Sequence, residues 1–235
     1  MFSSQRSSPT DNLYWLRTDG TGDVQRLTES SAFQVAGSWH QSGRLLAFEE
    51  FGGSRAEIEN SDILILPIEG DDASGWRPGK PMAFLTSSFN ETQPTFSPDG
   101  RWLAYVSDES GQPEVYVRPY TVAAGKWQVS TGGGMDPVWS RTARELFYRA
   151  SDARLMMARY TVTGDMLSPD KPVSVAELPV TGRTGRWFDL HPDGQRFAVG
   201  YRPDDAQGAT AAIRQNKIVL VFNFFDELRR LAPVR

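Results

Sequence analysis

One phrase, met four times along the chain, constrains the fold more than any other feature. It reads Gly37-Ser-Trp-His-Gln-Ser-Gly-Arg-Leu-Leu-Ala-Phe48, then Thr95-Phe-Ser-Pro-Asp-Gly-Arg-Trp-Leu-Ala-Tyr105, then Val138-Trp-Ser-Arg-Thr-Ala-Arg-Glu-Leu-Phe-Tyr148, then Asp189-Leu-His-Pro-Asp-Gly-Gln-Arg-Phe-Ala-Val199. The aligned bulky residues Trp39, Phe96, Trp139 and Leu190 lie 57, 43 and 51 positions apart. Each phrase is a β-hairpin: an apolar strand end, a Pro-Asp-Gly or Gln-Ser-Gly turn, and a second strand. Proline presets φ, aspartate accepts local amides and glycine takes the positive φ. The third copy, Arg141-Thr-Ala-Arg144, has lost that chemistry, so its hairpin is expected to survive with a less well-specified turn.

Between the phrases lie further strand-like runs bounded by glycine, proline or aspartate, among them Asp62 to Pro67, Pro113 to Tyr120 and Leu155 to Val162. Hairpin, third strand and shorter outer strand recur in that order, and the period matches a four-stranded propeller blade. The expected fold is all-β, a propeller of four-stranded antiparallel blades in one domain, residues 1–235. An incomplete blade at 1–33 precedes blades at 34–86, 93–130, 136–179 and 186–223, and Phe225 to Leu231 reads as a short helix. That makes four to five blades, which predicts a partial or open ring or a piece of a larger one. Exposed blade edges then invite self-association.

Composition narrows the function classes. Aromatic residues make up 11% of the chain, which favours strands over helices. A net charge of −4, with no run of basic residues longer than two, excludes a binder that works by neutralising phosphates along nucleic acid. With no cysteine there are no disulfides, no thiolate zinc site and no cysteine nucleophile. Ile218 to Phe225, interrupted by Asn223, is the longest apolar stretch and falls far short of the roughly 18 residues of a membrane span. Met1 to Asn12 is polar and serine-rich, unlike a signal peptide.

Phe84 to Tyr120, with its Ser-Pro-Asp-Gly-Arg turn at 97–101 and its Pro-Glu-Val-Tyr-Val strand at 113–117, resembles the TolB-like propeller repeat. More narrowly it is similar to the propeller carboxy-terminal to the kinase and transmembrane segments of bacterial receptor-type serine/threonine kinases. Asn12-Leu-Tyr-Trp15, Gly133 to Ser140, Pro192 to Phe197 and Phe222 to Leu231 carry the same likeness. The resemblance implies a recognition or sensing module lying outside the cytoplasmic membrane. No kinase glycine loop, His-Arg-Asp or Asp-Phe-Gly phrase is present, so no phosphoryl transfer by that machinery is expected.

Other catalytic and binding patterns do not complete themselves. His40 and His191 occupy equivalent turn positions in separate repeats, too few for a zinc site of three or four ligands. No Gly-x-Ser-x-Gly elbow surrounds Ser38. Gly75-Trp-Arg-Pro-Gly-Lys80 has prolines where a phosphate-holding helix would start, and reads as an outer loop. Gly132 to Gly134 reads as a turn. The aromatics at strand positions, including Trp39, Phe48, Phe96, Trp102, Trp139, Phe147 and Phe197, are expected to pack between blades, whereas Tyr14, Tyr116, Tyr120 and Tyr160 are candidates for an exposed partner surface.

A more informative set follows from propeller geometry, because residues just before each innermost strand converge at one mouth of the central channel. Those positions hold Gln34, Asn90 with Glu91, Met135 with Asp136, and Arg186 with Trp187. Gln34, Asn90, Glu91, Asp136, Arg186 and Trp187 are therefore the candidate ligand-binding residues, suited to a small polar ligand, a cation or a peptide terminus. A binding module without catalysis, metal or cofactor is expected, with a protein or small polar ligand as partner. The alternatives are a propeller hydrolase or lyase using channel carboxylates, or the propeller portion of a prolyl-oligopeptidase-like enzyme.

Overall fold

The turn phrase folds the same way in each copy. The amide five residues before the second strand's pairing carbonyl closes every hairpin: His40 N to Leu45 O, Ser97 N to Trp102 O, Ser140 N to Glu145 O and His191 N to Arg196 O, all at 2.7–2.9 Å. In three copies a glycine at positive φ, Gly43, Gly100 or Gly194, donates back to the first turn residue. The third copy has Ala143 there, whose Cβ disfavours that conformation. Its amide instead donates to the Ser140 hydroxyl, which also accepts from Thr142 N. The hairpin survives, as expected, through a serine cap in place of Pro-Asp-Gly.

A computed structural model describes residues 1–17, 22–54, 57–71, 73–121, 125–178, 188–199 and 219–220. They form five antiparallel sheets in chain order. The first holds β1 (Phe2–Ser4), β2 (Asn12–Trp15) and β3 (Gln25–Arg26). The second holds β4 (Phe33–Trp39), β5 (Leu45–Ser54), β6 (Glu57–Asp71), β7 (Gly75–Pro78) and β8 (Met82–Leu85). The third is β9 (Glu91–Phe96), β10 (Trp102–Ser107), β11 (Glu114–Pro119) and β12 (Trp127–Gln128). The fourth comprises β13 (Gly134–Trp139), β14 (Glu145–Ala150), β15 (Arg154–Thr163), β16 (Met166–Pro169) and β17 (Val173–Glu177). In the fifth are β18 (Phe188–Leu190), β19 (Phe197–Val199) and β20 (Val219–Leu220). The helix expected at 225–231 lies outside the described residues.

Two of these sheets carry a fifth strand. In the second sheet the outermost position is shared, β7 pairing the far half of β6 (Ile68↔Pro78) and β8 its near half (Ile63↔Leu85). Beside β15, β16 and β17 do the same. Both outer pairs break at the same chemistry, Gly79-Lys80-Pro81 and Asp170-Lys171-Pro172, where proline has no amide for the ladder. The Gly75–Lys80 stretch, expected as a loop, is consequently strand β7 through Pro78.

Among the described residues, the apolar clusters lie between sheets rather than within one. Side chains alternate between faces along a strand, and here both faces are apolar, so neighbouring residues feed different interfaces. Leu46 and Phe48 pack with Leu13 and Leu27 of the first sheet, whereas Ala47 packs with Phe96 and Leu103 of the third. Trp102 and Ala104 meet Trp139 and Leu146 between the third and fourth sheets, and Phe147 meets Phe188 and Phe197 of the fifth. The aromatic expectation holds for Phe48, Phe96, Trp102, Trp139, Phe147 and Phe197, which are all buried. Trp39 is instead 36% exposed at the end of β4, although its repeat equivalent Trp139 is 5% exposed and its indole donates to Thr95 O at 3.0 Å. Tyr14 and Tyr116, expected at the surface, are buried, because Tyr14 stacks on Phe2 and Tyr116 on Tyr105. Tyr120 and Tyr160 are half-buried.

Candidate functional site

The innermost strands β4, β9 and β13 each carry a bulge at the repeat-equivalent place, at Gly37, Gln93-Pro94 and Asp136-Pro137. A bulge interrupts the ladder and re-aims side chains. Gln93 and Asp136 sit there at φ +55° and +56°, conformations uncommon for residues with a Cβ. Their side chains consequently turn toward each other across the sheets. Gln93 Nε2 donates to Asp136 Oδ1 at 3.0 Å, and Asp136 N donates to Gln93 Oε1 at 2.6 Å. Arg149 Nε, on the strand paired with β13, donates to Asp136 Oδ2 at 2.8 Å in a buried ion pair.

The other described candidates meet around the second and third sheets. Gln34, 1% exposed, accepts from Thr28 Oγ1 and donates to Glu50 Oε2 at 2.6 Å. Glu50 stands opposite Asp62 in the β5–β6 register. Asn90 bridges Ser61 of β6 and donates to both oxygens of Asp108 through its amide and side chain, at 2.9 and 2.6 Å. Glu91, 4% exposed, accepts from Ser87 Oγ at 2.6 Å on one oxygen. Ser87 also offers its backbone amide to the Asp62 carboxylate, so one residue holds two acids.

Each of those acids keeps a second oxygen without a partner. Among the described residues Glu91 Oε2, Asp62 Oδ1 and the neighbouring Ser61 Oγ are buried and make no hydrogen bond. Burial pushes the Glu91 carboxyl above the ordinary glutamate range, Ser87 partly offsets this, and the charges of Asp62, Glu109 and Asp108 push further in the same direction. Asp62 is raised for the same first reason, with Glu50 adding to it. Beside them Phe89 is 41% exposed, its amide fixed by Ser87 Oγ at 3.0 Å. The assembly is a buried acidic cluster with acceptors that lack donors, next to an exposed aromatic.

The structure thus joins Gln34, Asn90 and Glu91 in one polar group and places Asp136 in a separate clasp with Gln93 and Arg149. Arg186 and Trp187 lie outside the described residues. Asp62, Ser87 and Asp108 escaped the sequence reading because they do not precede an innermost strand. Asp62, at the start of its run and one strand over from Glu50, carried the one available signal. The histidines serve the turns: His40 Nε2 approaches Gly100 O at 3.2 Å and its ring packs on Phe96, while His191 contacts Asp193 and Arg196. Among the described residues no group of three or more His, Asp or Glu is placed to hold a metal ion.

Solved structures with this arrangement of sheets include a candidate TolB from Agrobacterium tumefaciens (TM-score 0.51, 16% identity over 74% of this chain) and TolB from Acinetobacter baumannii (0.50, 16%, 84%). A candidate 6-phosphogluconolactonase from Bacteroides uniformis is equally similar (0.53, 15%, 83%). The fold is a β-propeller. The chain spans only 61%, 43% and 59% of the lengths of these three structures. No protein-family model matches the chain. At such identities the likeness is one of fold, and propellers host unrelated functions, so function rests on the site. Among the described residues of the propeller no helix is long and apolar enough to cross a membrane.

Proposed function

We propose that this propeller is a non-catalytic recognition module whose acidic cluster, built around Glu91, Asp62, Asn90 and Gln34, receives a positively charged hydrogen-bond donor such as a lysine or arginine side chain of a protein or a small amine. One observation carries the reading: Glu91 and Asp62, both held by Ser87, each keep a buried carboxylate oxygen with no donor. An unsatisfied buried acceptor costs about 1–3 kcal/mol, more when charged, so a donor that reaches it gains that amount back. Phe89 next to it adds a ring face for the cation or its alkyl stem. Against a hydrolytic role stands Asp136, a channel carboxylate already committed to Arg149 and Gln93. The repeat's likeness to the propellers of bacterial receptor-type kinases supports a sensing role outside the cytoplasmic membrane.

Titrating the chain with a lysine decamer tests this. Asp62→Asn with Glu91→Gln should weaken binding about tenfold or more, the loss of a charge-assisted contact, while Glu29→Gln with Glu69→Gln, which removes the same charge elsewhere, should not. Equal weakening by both pairs would reduce the effect to net charge and end the proposal.

A further inference from the structure

At the other end of the strands, between the hairpin turns of the third and fourth sheets, lies a cavity of about 280 Å³ lined by Arg101, Arg141, Thr142, Arg144, Asp99 and Tyr160 among others. Its arginines are not equivalent in use. Arg44, Arg101 and Arg144 occupy the same position of the repeated turn phrase. Arg44 spends its guanidinium on Gly70 O at 2.6 Å and lies 4.9 Å over the Trp76 ring. Arg101 bonds Gly164 O at 2.5 Å and pairs with Asp165. Among the described residues the Arg144 side chain makes no hydrogen bond or ion pair, and neither does that of Arg141, which stands where other copies carry Gln41, Pro98 or Pro192. The loss of Pro-Asp-Gly from the third turn therefore coincides with two uncommitted guanidinium groups on a cavity wall. Asp99, the acid on that wall, is tied into its own turn by Ser97 Oγ and Arg101 N.

We infer that this cavity binds a phosphomonoester, with Arg141 and Arg144 on the phosphate oxygens and the ester's organic group against Tyr160. Two separate guanidinium groups match a dianion with three terminal oxygens, whereas a carboxylate is satisfied by one planar fork. The Thr142 hydroxyl adds a neutral donor. Tyr160 presents a half-buried ring held edge-on by Trp139 at 5.2 Å.

Calorimetric titration of the chain with phenyl phosphate at low salt tests the inference, because exposed ion contacts are screened at high salt. Binding is expected, weakened about tenfold or more by Arg141→Gln with Arg144→Gln. Both residues are exposed and uncommitted, so the melting temperature of the double variant should stay near that of the parent. A control pair, Arg77→Gln with Arg154→Gln, removes equal charge outside the cavity and should leave affinity unchanged. Absence of binding to the folded parent chain, equal weakening by the control pair, or equal affinity for benzoate would each overturn the assignment.

Discussion

Gln93 and Asp136, 43 residues apart, hold each other reciprocally: each side chain bonds the other residue, and both backbones adopt the same positive φ at the same bulge of neighbouring innermost strands. The pair works as a clasp between the third and fourth blades. Its strained conformations are offset by two hydrogen bonds and by the Arg149 ion pair behind them.

Removing one side of that clasp should expose the asymmetry of buried polar groups. Asp136→Ala leaves the 8% exposed Arg149 without its carboxylate and is expected to cost about 3–5 kcal/mol. Gln93→Ala, which leaves no charge stranded, should cost about 1–3 kcal/mol. In urea unfolding the double variant should fall short of the sum by about 0.5–3 kcal/mol, the signature of direct coupling. Strict additivity would mean that the two residues do not interact.

The turn glycines should separate by what stands above them. A Cβ on Gly100 would lie 2.0 Å from His40 Nε2, whereas one on Gly43 meets nothing within 4 Å, and both have positive φ. Gly43→Ala is expected to cost about 1 kcal/mol from conformation alone. Gly100→Ala should cost about 1–3 kcal/mol more from the clash, most of it recovered when His40→Ala is added. Equal costs at the two glycines would remove the turn-to-turn contact from the account.

Stability should lean on the neighbouring blade. Phe147 belongs to the fourth sheet but its ring meets Phe197 of the fifth at 5.2 Å. Phe147→Ala should cost about 3–5 kcal/mol. Hydrogen exchange should quicken at Phe188–Leu190 and Phe197–Val199 as well as in β14. Protection lost in the fourth sheet alone would indicate blades that are stable independently.

The pH dependence contributed by Glu91 has a definite sign. Its carboxyl is raised in the folded chain, so the fold binds its proton more tightly than the unfolded chain does. The stability this supplies is full below the ordinary glutamate range and is lost as pH rises through the folded value. Glu91→Gln removes that loss. The variant's unfolding free energy, compared with the parent's, should therefore improve between about pH 4 and pH 7. A difference that is flat or falls across that interval would place the carboxylate in a favourable, paired environment.

Much of this architecture was legible because its signals are local. A turn phrase needs only its own residues to set φ, and strands apolar on both faces, such as Leu45 to Phe48, announce burial between two layers. Candidate residues next to an innermost strand could be located for the same reason. What stayed hidden depends on packing between repeats. Ser87 reaches Glu91 and Asp62 only once β8 has folded back on β6, and Arg149 reaches Asp136 only through the β13–β14 register, Met135 opposite Arg149. The shared outer position of the second sheet was missed because Gly75 to Lys80 read as an outer loop, although its first four residues form β7.

The most direct test of the acidic cluster is the titration of the Glu91 carboxyl carbon by NMR, in the free chain and with the lysine decamer present. A cation at the unpaired oxygen favours the ionised form. The apparent pKa should therefore begin above the ordinary glutamate range and fall when the peptide is added. An ordinary value in the free chain, or a raised one that the peptide leaves unmoved, would contradict the account.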